Sequence, residues 1–491
     1  MCESCDVNSI NRREFLQHSM IYTAATAMAM PAMASAWSTG PSEKNKVPAT
    51  VKVVFLYPPD EVVQAGRLED AWASYNWYTW PGNQFQPEEK QGRYTEKIKS
   101  MASAMGITLD VETRAIYTST EITNLISRVK SARPDALLIF NFWNTFSGWT
   151  FTITKECGVP CIVYHPVGSS HQLPPKNLLS AEGIYYIHSI DNWAEIQHAL
   201  YAVRTRKMMA QSRLLRISEF TEQTALRDPG LEVDILGVPA QEYNDVFDGI
   251  RRDDQLVRDA MAFKKSAQQV TDVTDEFIIE GFRAHRAVQT MKERYQADAV
   301  TIKCLMLKER KPCISFSLHN SALMPCACED FPDSAMTLML GRWLFDRPGF
   351  QHNPDFDINR NLYFGAHCTC ALQLHGQTEP PQKFRIRPFF HQLPRTAALD
   401  VQWTPDDPVL LAKYVPEQRL LSCWHGKVVE SPATASAGGC ATRVLVDIPG
   451  VDDICNVYVG PHPILYCAEP ALAHRLKAFA KLYKFEFKGN S

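Results

Sequence analysis

The feature that most limits what this chain can fold into is the alternation of strand-like and helix-like segments from Val51 to Val167. Val51–Tyr57 is a short β-rich run, Gly92–Met105 has helical spacing and Ile107–Thr113 is strand-like again. Thr118–Ala132 is helical, and Ala136–Phe142 and Pro160–His165 read as buried strands. Strands that alternate with helices predict a parallel sheet with helices on both faces. In such sheets the functional residues collect on loops beyond the strand C-termini. Here those loops carry Asn141–Asn144, with Trp143 between the amides, and the run from His165 to His171. Amides, hydroxyls and aromatic rings suit a polyhydroxylated ligand, although loops of any function hold such residues. Trp143, Tyr75 and Trp77 are candidates to stack on a ring, with core packing as the alternative.

A second α/β segment follows. Gly183–Ile187, Arg213–Ile217 and Ala299–Lys303 read as strands, and 242–267 and 270–296 read as helices. After Lys383 the pattern changes to short β-like runs (384–386, 410–414, 420–429, 443–448 and 456–459) separated by Pro, Gly and Asp, closed by a helix over 471–483. The expected fold class is α/β: two consecutive Rossmann-like parallel-sheet domains, 51–175 and 176–350, then a smaller β-rich, barrel-like domain over 351–491. A length prior of about 150 residues per domain also makes room for about three.

Ahead of these domains, Asn11-Arg12-Arg13-Glu14-Phe15-Leu16 places two arginines before a Phe-Leu pair, and no charged residue occurs from Met20 to Ala36. The run closes on Ala34-Ser35-Ala36, a small-x-small cleavage pattern. A charged head, a short apolar middle and a small-residue end describe a cleaved leader rather than a membrane span. Residues 1–36 therefore read as a twin-arginine signal, an address and not an anchor, and 37–50 as a linker. The expected location is the periplasm or beyond. No cysteine follows the apolar run near the cleavage point, which argues against a lipid anchor.

A formal net charge of −3 gives no sign of a nucleic-acid or anionic-membrane partner. Of the 14 cysteines, Cys2 and Cys5 belong to the leader. The others are not spaced as a disulfide lattice, and several fall in apolar runs, where free thiols are commonly buried. Cys326/Cys328 and Cys368/Cys370 are not at the usual Cys-x2-Cys spacing of structural zinc.

The densest run of reactive residues extends from Lys303 to Cys370. It holds Cys304, Cys313, His319, Asn320, Glu329, Asp330, His352, Asn353, Asp355, Asp357 and His367. Glu329 and Asp330 precede a helix over 332–345, where acids complement the helix dipole. That role fits Asp330 and Asp333 better than Glu329, which follows the apolar Met324–Cys328. Carboxylates and imidazoles converging in one cleft suit a divalent cation such as Mn²⁺ or Mg²⁺.

These residues carry a resemblance. The order Cys328-Glu329, helix, Phe350-Gln351-His352-Asn353, Asp357, Asn361, His367-Cys368 is similar to the core of the L-fucose isomerase-like sugar isomerases, which are related to L-arabinose isomerase. Lys303-Cys304, Pro312-Cys313 and the tail Gly460-Pro461-His462-Pro463 fit the same order. The resemblance is most specific over 299–370 and only architectural over the N-terminal domain. It implies an aldose–ketose isomerase working through an enediol on a monosaccharide, with Mn²⁺ or another divalent cation such as Mg²⁺ held by a Glu, an Asp and a C-terminal His. It also implies a homo-oligomer, a trimer or hexamer.

On this sequence the Glu maps to Glu329 and the His to His462, while the Asp position holds Asn353. An amide ligates weakly and accepts no proton near neutral pH, so His352 is a candidate replacement base. If 353–357 is extended, Asp355 and Asp357 share the face of Asn353. His319, Asn320, Asp357, His367 and Trp143 are the expected substrate contacts, with a core position the alternative for His367 and Trp143. Two further functions stay open: a carbohydrate-binding protein that kept the cleft, and a metal-dependent epimerase or lyase on a sugar.

Overall fold

The computed structural model describes residues 46–65, 86–143, 146–167, 173, 175–190, 192–389, 396–433, 439–457 and 459–490. The leader, most of the linker, Tyr75, Trp77, Asn144 and the run 168–171 lie outside the described residues. Among the described residues no helix is long and apolar enough to cross a membrane.

The first layer is a five-stranded, wholly parallel sheet of β1 (Thr50–Leu56), β2 (Thr108–Val111), β3 (Ala136–Asn141), β4 (Cys161–Pro166) and β5 (Ile184–Ser189), in the order β2-β1-β3-β4-β5. Every residue of β3 and β4 is buried, as a parallel strand covered on both faces requires. Local signals set the helix ends. Thr118 and Glu121 form a capping box on Ser119–Ala132, and Gly106 ends Pro87–Met105 in the left-handed conformation.

The second layer contains β6 (Arg213–Ser218), β7 (Thr224–Arg227) and β8 (Asp234–Pro239). The two-residue β9 (Gln269–Val270) leaves it to pair elsewhere, and β10 (Ala299–Ile302) and β11 (Cys326–Cys328) complete it. The order is β11-β10-β6-β8-β7, parallel except for β7. The helix expected over 242–267 is two helices, Ala240–Gly249 and Asp254–Ser266. Ile250 turns extended, and the Asp253 side chain accepts from Leu256 N to start the second. The next helix begins only at Asp275, after Thr274 caps it.

The C-terminal part is mainly antiparallel. An eight-stranded sheet takes β12 (Gly349–Gln351), β13 (Asn353–Asp357) and β14 (Leu362–His367). β15 (Phe384–Pro388) and β16 (Ala397–Val401) instead join β9 in a three-stranded sheet. The large sheet continues with β17 (Pro408–Val415), β18 (Leu420–Glu430), β19 (Thr442–Asp447), β20 (Ile464–Cys467) and β21 (Glu486–Gly489). Its order is β12-β20-β17-β18-β19-β14-β13, with β21 parallel to β18. The strand expected over 456–459 is instead a 3₁₀ turn at Ile454–Val457. One apolar core runs from Val51 and Phe55 through Leu214 and Leu338 to Tyr414, Tyr466 and Phe479, so the layers share a common interior. The molecule is thus a mixed α/β protein.

Candidate functional site

The site forms where the parallel second sheet ends. Glu329 follows directly on β11, beside the C-terminal ends of β10 and β6, the edge at which open α/β sheets bind ligands. Glu329 and Asp330 both have left-handed backbones, φ +62° and +60°. Such a conformation costs an L-residue about 1–2 kcal/mol, so the surroundings must impose it. The Asp330 carboxylate accepts from Arg216 Nε at 2.7 Å, Arg216 Nη2 at 2.9 Å and Ser218 Oγ at 2.8 Å. Its N–H donates to Ile302 O at 3.2 Å. On the other side, Gln351 brackets Cys328, accepting from its N–H at 2.6 Å and donating to its carbonyl at 3.1 Å. The turn carrying Glu329 is therefore fixed from β6, β10 and β12.

The helix Pro332–Phe345 begins immediately after this turn and holds the second residue of the site. Ser334 Oγ donates to His462 O at 2.6 Å, and Lys413 Nζ, paired with Asp333 at 2.7 Å, approaches the same carbonyl at 3.5 Å. The Phe331 ring lies 4.0 Å from the imidazole of His462. His462 has φ +48°, a third left-handed non-glycine backbone in one place. Such outliers gather where surrounding structure over-determines them.

His367, the last residue of β14, supplies the third side chain. Its Nε2 lies 3.7 Å from Glu329 Oε1, while His462 Nε2 lies 3.2 Å from Glu329 Oε2. One atom from each of the three side chains falls within 4.8 Å of the others. Both imidazoles are buried, and His367 Nε2 and both ring nitrogens of His462 lack a hydrogen-bond partner. The Glu329 carboxylate stands at ion-pair distance from the two Nε2 atoms. Buried polar atoms are otherwise nearly always paired, and these three side chains form a set that could hold a cation.

The three groups interact strongly. Contact with His367 first, and His462 second, holds the Glu329 carboxyl well below the usual carboxylate range, against burial acting the other way. Burial lowers His462 and favours the neutral imidazole that a metal requires. His367 is raised, because Glu329 and nearby thiols more than offset its burial. Two imidazoles and one carboxylate suit a first-row transition ion such as Mn²⁺; Mg²⁺ prefers oxygen ligands and retained water.

The other residues singled out in the sequence are not in this group of three, although the charges of His367 and His462 act on His352. Asn353 is exposed at the start of β13 and donates from Nδ2 to Cys440 Sγ at 3.8 Å. Asp355 and Asp357 follow it in an extended strand, as alternation requires. They recede from His367, because β13 and β14 run antiparallel with Asn353 opposite Ala366 and Asp357 opposite Leu362. Both line a surface recess with Phe356, Ile358 and Phe364. His352 is wholly buried, with Nδ1 3.0 Å from Phe350 O and Nε2 2.7 Å from Tyr363 Oη, and it packs against the bare Cα of Gly365. Both nitrogens are spoken for, which leaves no free position for a base.

His319 and Asn320 are buried in the helix Cys313–Ser321. His319 bonds Ser315 O and packs on His285, while the Asn320 amide brackets Cys326. Trp143 is 3% exposed and packs on Phe146. The structure thus brings together ligand atoms of Glu329, His462 and His367, a group that does not include His352, His319, Asn320, Asp357 or Trp143.

Sequence reasoning did not reach the supporting residues Arg216, Ser218, Gln351, Ser334 and Lys413. It named Cys304, Cys328 and Cys368 but not Cys440, the fourth thiol of the two pairs beside the site. Cys304 contacts Cys328, and Cys440 contacts Cys368, which with the amide of Asn353 brings the Cys440 thiol down to about 6. Of the twelve described cysteines, all but Cys440 and Cys455 are buried.

No family model and no curated protein matches the chain. A solved structure described as a XylFII molecule is similar over 52% of this chain and 80% of that one, at 8% identity and a TM-score of 0.16. A similarity that low carries no argument about function.

Proposed function

We propose that this chain is an exported, metal-dependent sugar isomerase-like enzyme of the L-fucose isomerase-like type. In this reading the two mainly parallel sheets are Rossmann-like units and the antiparallel part is the barrel-like domain. Glu329, His367 and His462 hold a Mn²⁺-like ion, and Glu329 is also the group nearest to move a proton. The observation that carries the proposal is the convergence of two buried imidazole nitrogens without hydrogen-bond partners, His367 Nε2 and His462 Nε2, on one carboxylate at the ligand-binding edge of a parallel sheet. When bound, the ion polarises neighbouring substrate oxygens and eases C–H ionisation toward an enediol. The protein's own part is to fix Glu329 through Asp330 and Gln351 and to keep both imidazoles dry.

A second reading has support from Asn353. The other acids near Glu329 are committed, Asp330 to Arg216 and Asp333 to Lys413, and Asn353 offers an amide where the resemblance expects a carboxylate. One proton carrier in place of two favours altered chemistry, either epimerisation or elimination on a sugar, or carbohydrate binding without turnover. Deuterium incorporation from D₂O into a panel of aldoses and ketoses, compared between wild type and Glu329→Ala, separates these readings. Exchange that depends on Glu329 supports the isomerase. Sugar binding without exchange supports the binding protein, and neither binding nor exchange overturns both.

A further inference from the structure

We propose that Glu195, His198 and His474 form a second divalent-metal site, of the zinc type, which pins the C-terminal helix to the long helix that follows the first sheet. It rests on no residue of the Glu329 site.

The helix Trp193–Ala210, started by the Asn192 cap, carries Glu195 and His198 one turn apart on one face. The helix Ala473–Leu482 brings His474 against them. Glu195 Oε1 lies 2.7 Å from His474 Nδ1 and 3.9 Å from His198 Nδ1, and the three ligand atoms fall within 4.8 Å of one another. A zinc ion bound at about 2.0–2.2 Å to each of three tetrahedral ligands holds them roughly 3.4 Å apart. The two separations bracket that value, so small side-chain rotations close the site.

His198 is an independent sign of a ligand. Its side chain is 9% exposed, and its Nδ1 has no hydrogen-bond partner although it is aimed at the Glu195 carboxylate. The other carboxylate oxygen accepts from Tyr185 Oη, which orients the group as outer partners orient metal ligands. His474 is 41% exposed and leaves one side open to solvent, the position that three-ligand zinc sites keep for water. The neighbouring cation, Arg475, acts on His198 through its charge and has contacts of its own. Its guanidinium lies 3.7 Å over the Tyr201 ring and donates to Leu344 O at 2.5 Å. Two imidazoles and one carboxylate form an N,N,O set that suits Zn²⁺ better than Mg²⁺ or Ca²⁺.

The test uses metal-stripped protein and Zn²⁺ alone, in a Glu329→Gln background that removes the carboxylate of the other site. Equilibrium dialysis and thermal melts compare Glu329→Gln with Glu329→Gln/His474→Gln. Removing a direct ligand is expected to cost at least roughly 100-fold in Zn²⁺ affinity, since outer-shell partners alone cost about 10- to 100-fold. Zn²⁺ is expected to raise the melting midpoint of the first protein and not of the second. Glu195→Gln, which keeps an acceptor for Tyr185, gives the same result if His474→Gln fails to fold. Equal Zn²⁺ uptake, or an equal shift of the melt, in the paired proteins overturns the site.

Discussion

Replacing His352 by phenylalanine tests whether this imidazole belongs to the core or to the chemistry. Nδ1 can bond Phe350 O only by donating, and because burial holds the ring neutral, Nε2 accepts from Tyr363 Oη. Burial pushes its pKa down from 6.5 to about 3. In the unfolded chain the ring takes a proton near 6.5, so the stability it supports is complete above that pH. That stability erodes as the pH falls toward about 3. The gap is worth about 5 kcal/mol as a ceiling, because the Tyr363 hydroxyl can turn to accept from the charged ring.

The phenylalanine variant cannot titrate, but it removes the imidazole contacts to Phe350 O and Tyr363 Oη, at about 1–3 kcal/mol each. Urea unfolding at pH 7.5 is therefore expected to find the variant less stable by about 2–5 kcal/mol. Repeated at steps down to pH 4.5, the difference is expected to shrink steadily as wild type alone weakens at this position. A difference that stays constant with pH refutes a buried neutral His352. Lost turnover with an unchanged acid limb would instead make it a catalytic base.

Gln351→Leu removes the bracket on Cys328 and is expected to cost about 2–4 kcal/mol in urea unfolding, together with about a tenfold loss of Mn²⁺ affinity. Asp330→Asn loosens the contacts to Arg216 and Ser218 that hold the left-handed turn. It should cost about 2 kcal/mol, while retention of full stability would show that the turn is held by other contacts. Asn353→Asp places a negative charge beside Cys440 and removes the amide donor. The thiol, now lowered to about 6, should rise, and alkylation by iodoacetamide at pH 7 should slow; an unchanged rate contradicts the Asn353–Cys440 contact.

Much of the fold was legible because parallel strands announce themselves as short, fully apolar runs. Ala136–Asn141, Cys161–Pro166 and Arg213–Ser218 lie within a residue of their expected ends, and the helix Pro332–Phe345 begins at its proline as expected. Periodicity alone failed where charge hides a break. The polar run Arg251–Asp254 interrupts a helix that the pattern carried through, because Asp253 prefers to cap rather than continue. Glu329 and His462 were legible through order along the chain. His367 was ambiguous, because the apolar Tyr363–Ala366 before it marks a core strand equally well, and only the β14–β19 pairing shows its end reaching Glu329. His352 misled for the same reason: a histidine next to a candidate ligand position points to the opposite face of its strand. Arg216, Gln351 and Lys413 act across 114, 23 and 79 residues respectively, distances at which local pattern carries no information.

The central claim is that Glu329, His367 and His462, and not Asn353, hold the ion. Mn²⁺ titration of metal-stripped protein followed by electron paramagnetic resonance tests it directly, comparing wild type with Glu329→Ala, His367→Ala, His462→Ala and Asn353→Ala. Wild type and Asn353→Ala are expected to bind Mn²⁺ alike, and each of the other three to lose at least roughly 100-fold in affinity. Loss in Asn353→Ala with binding kept in His367→Ala, or no Mn²⁺ binding by wild type, contradicts the claim.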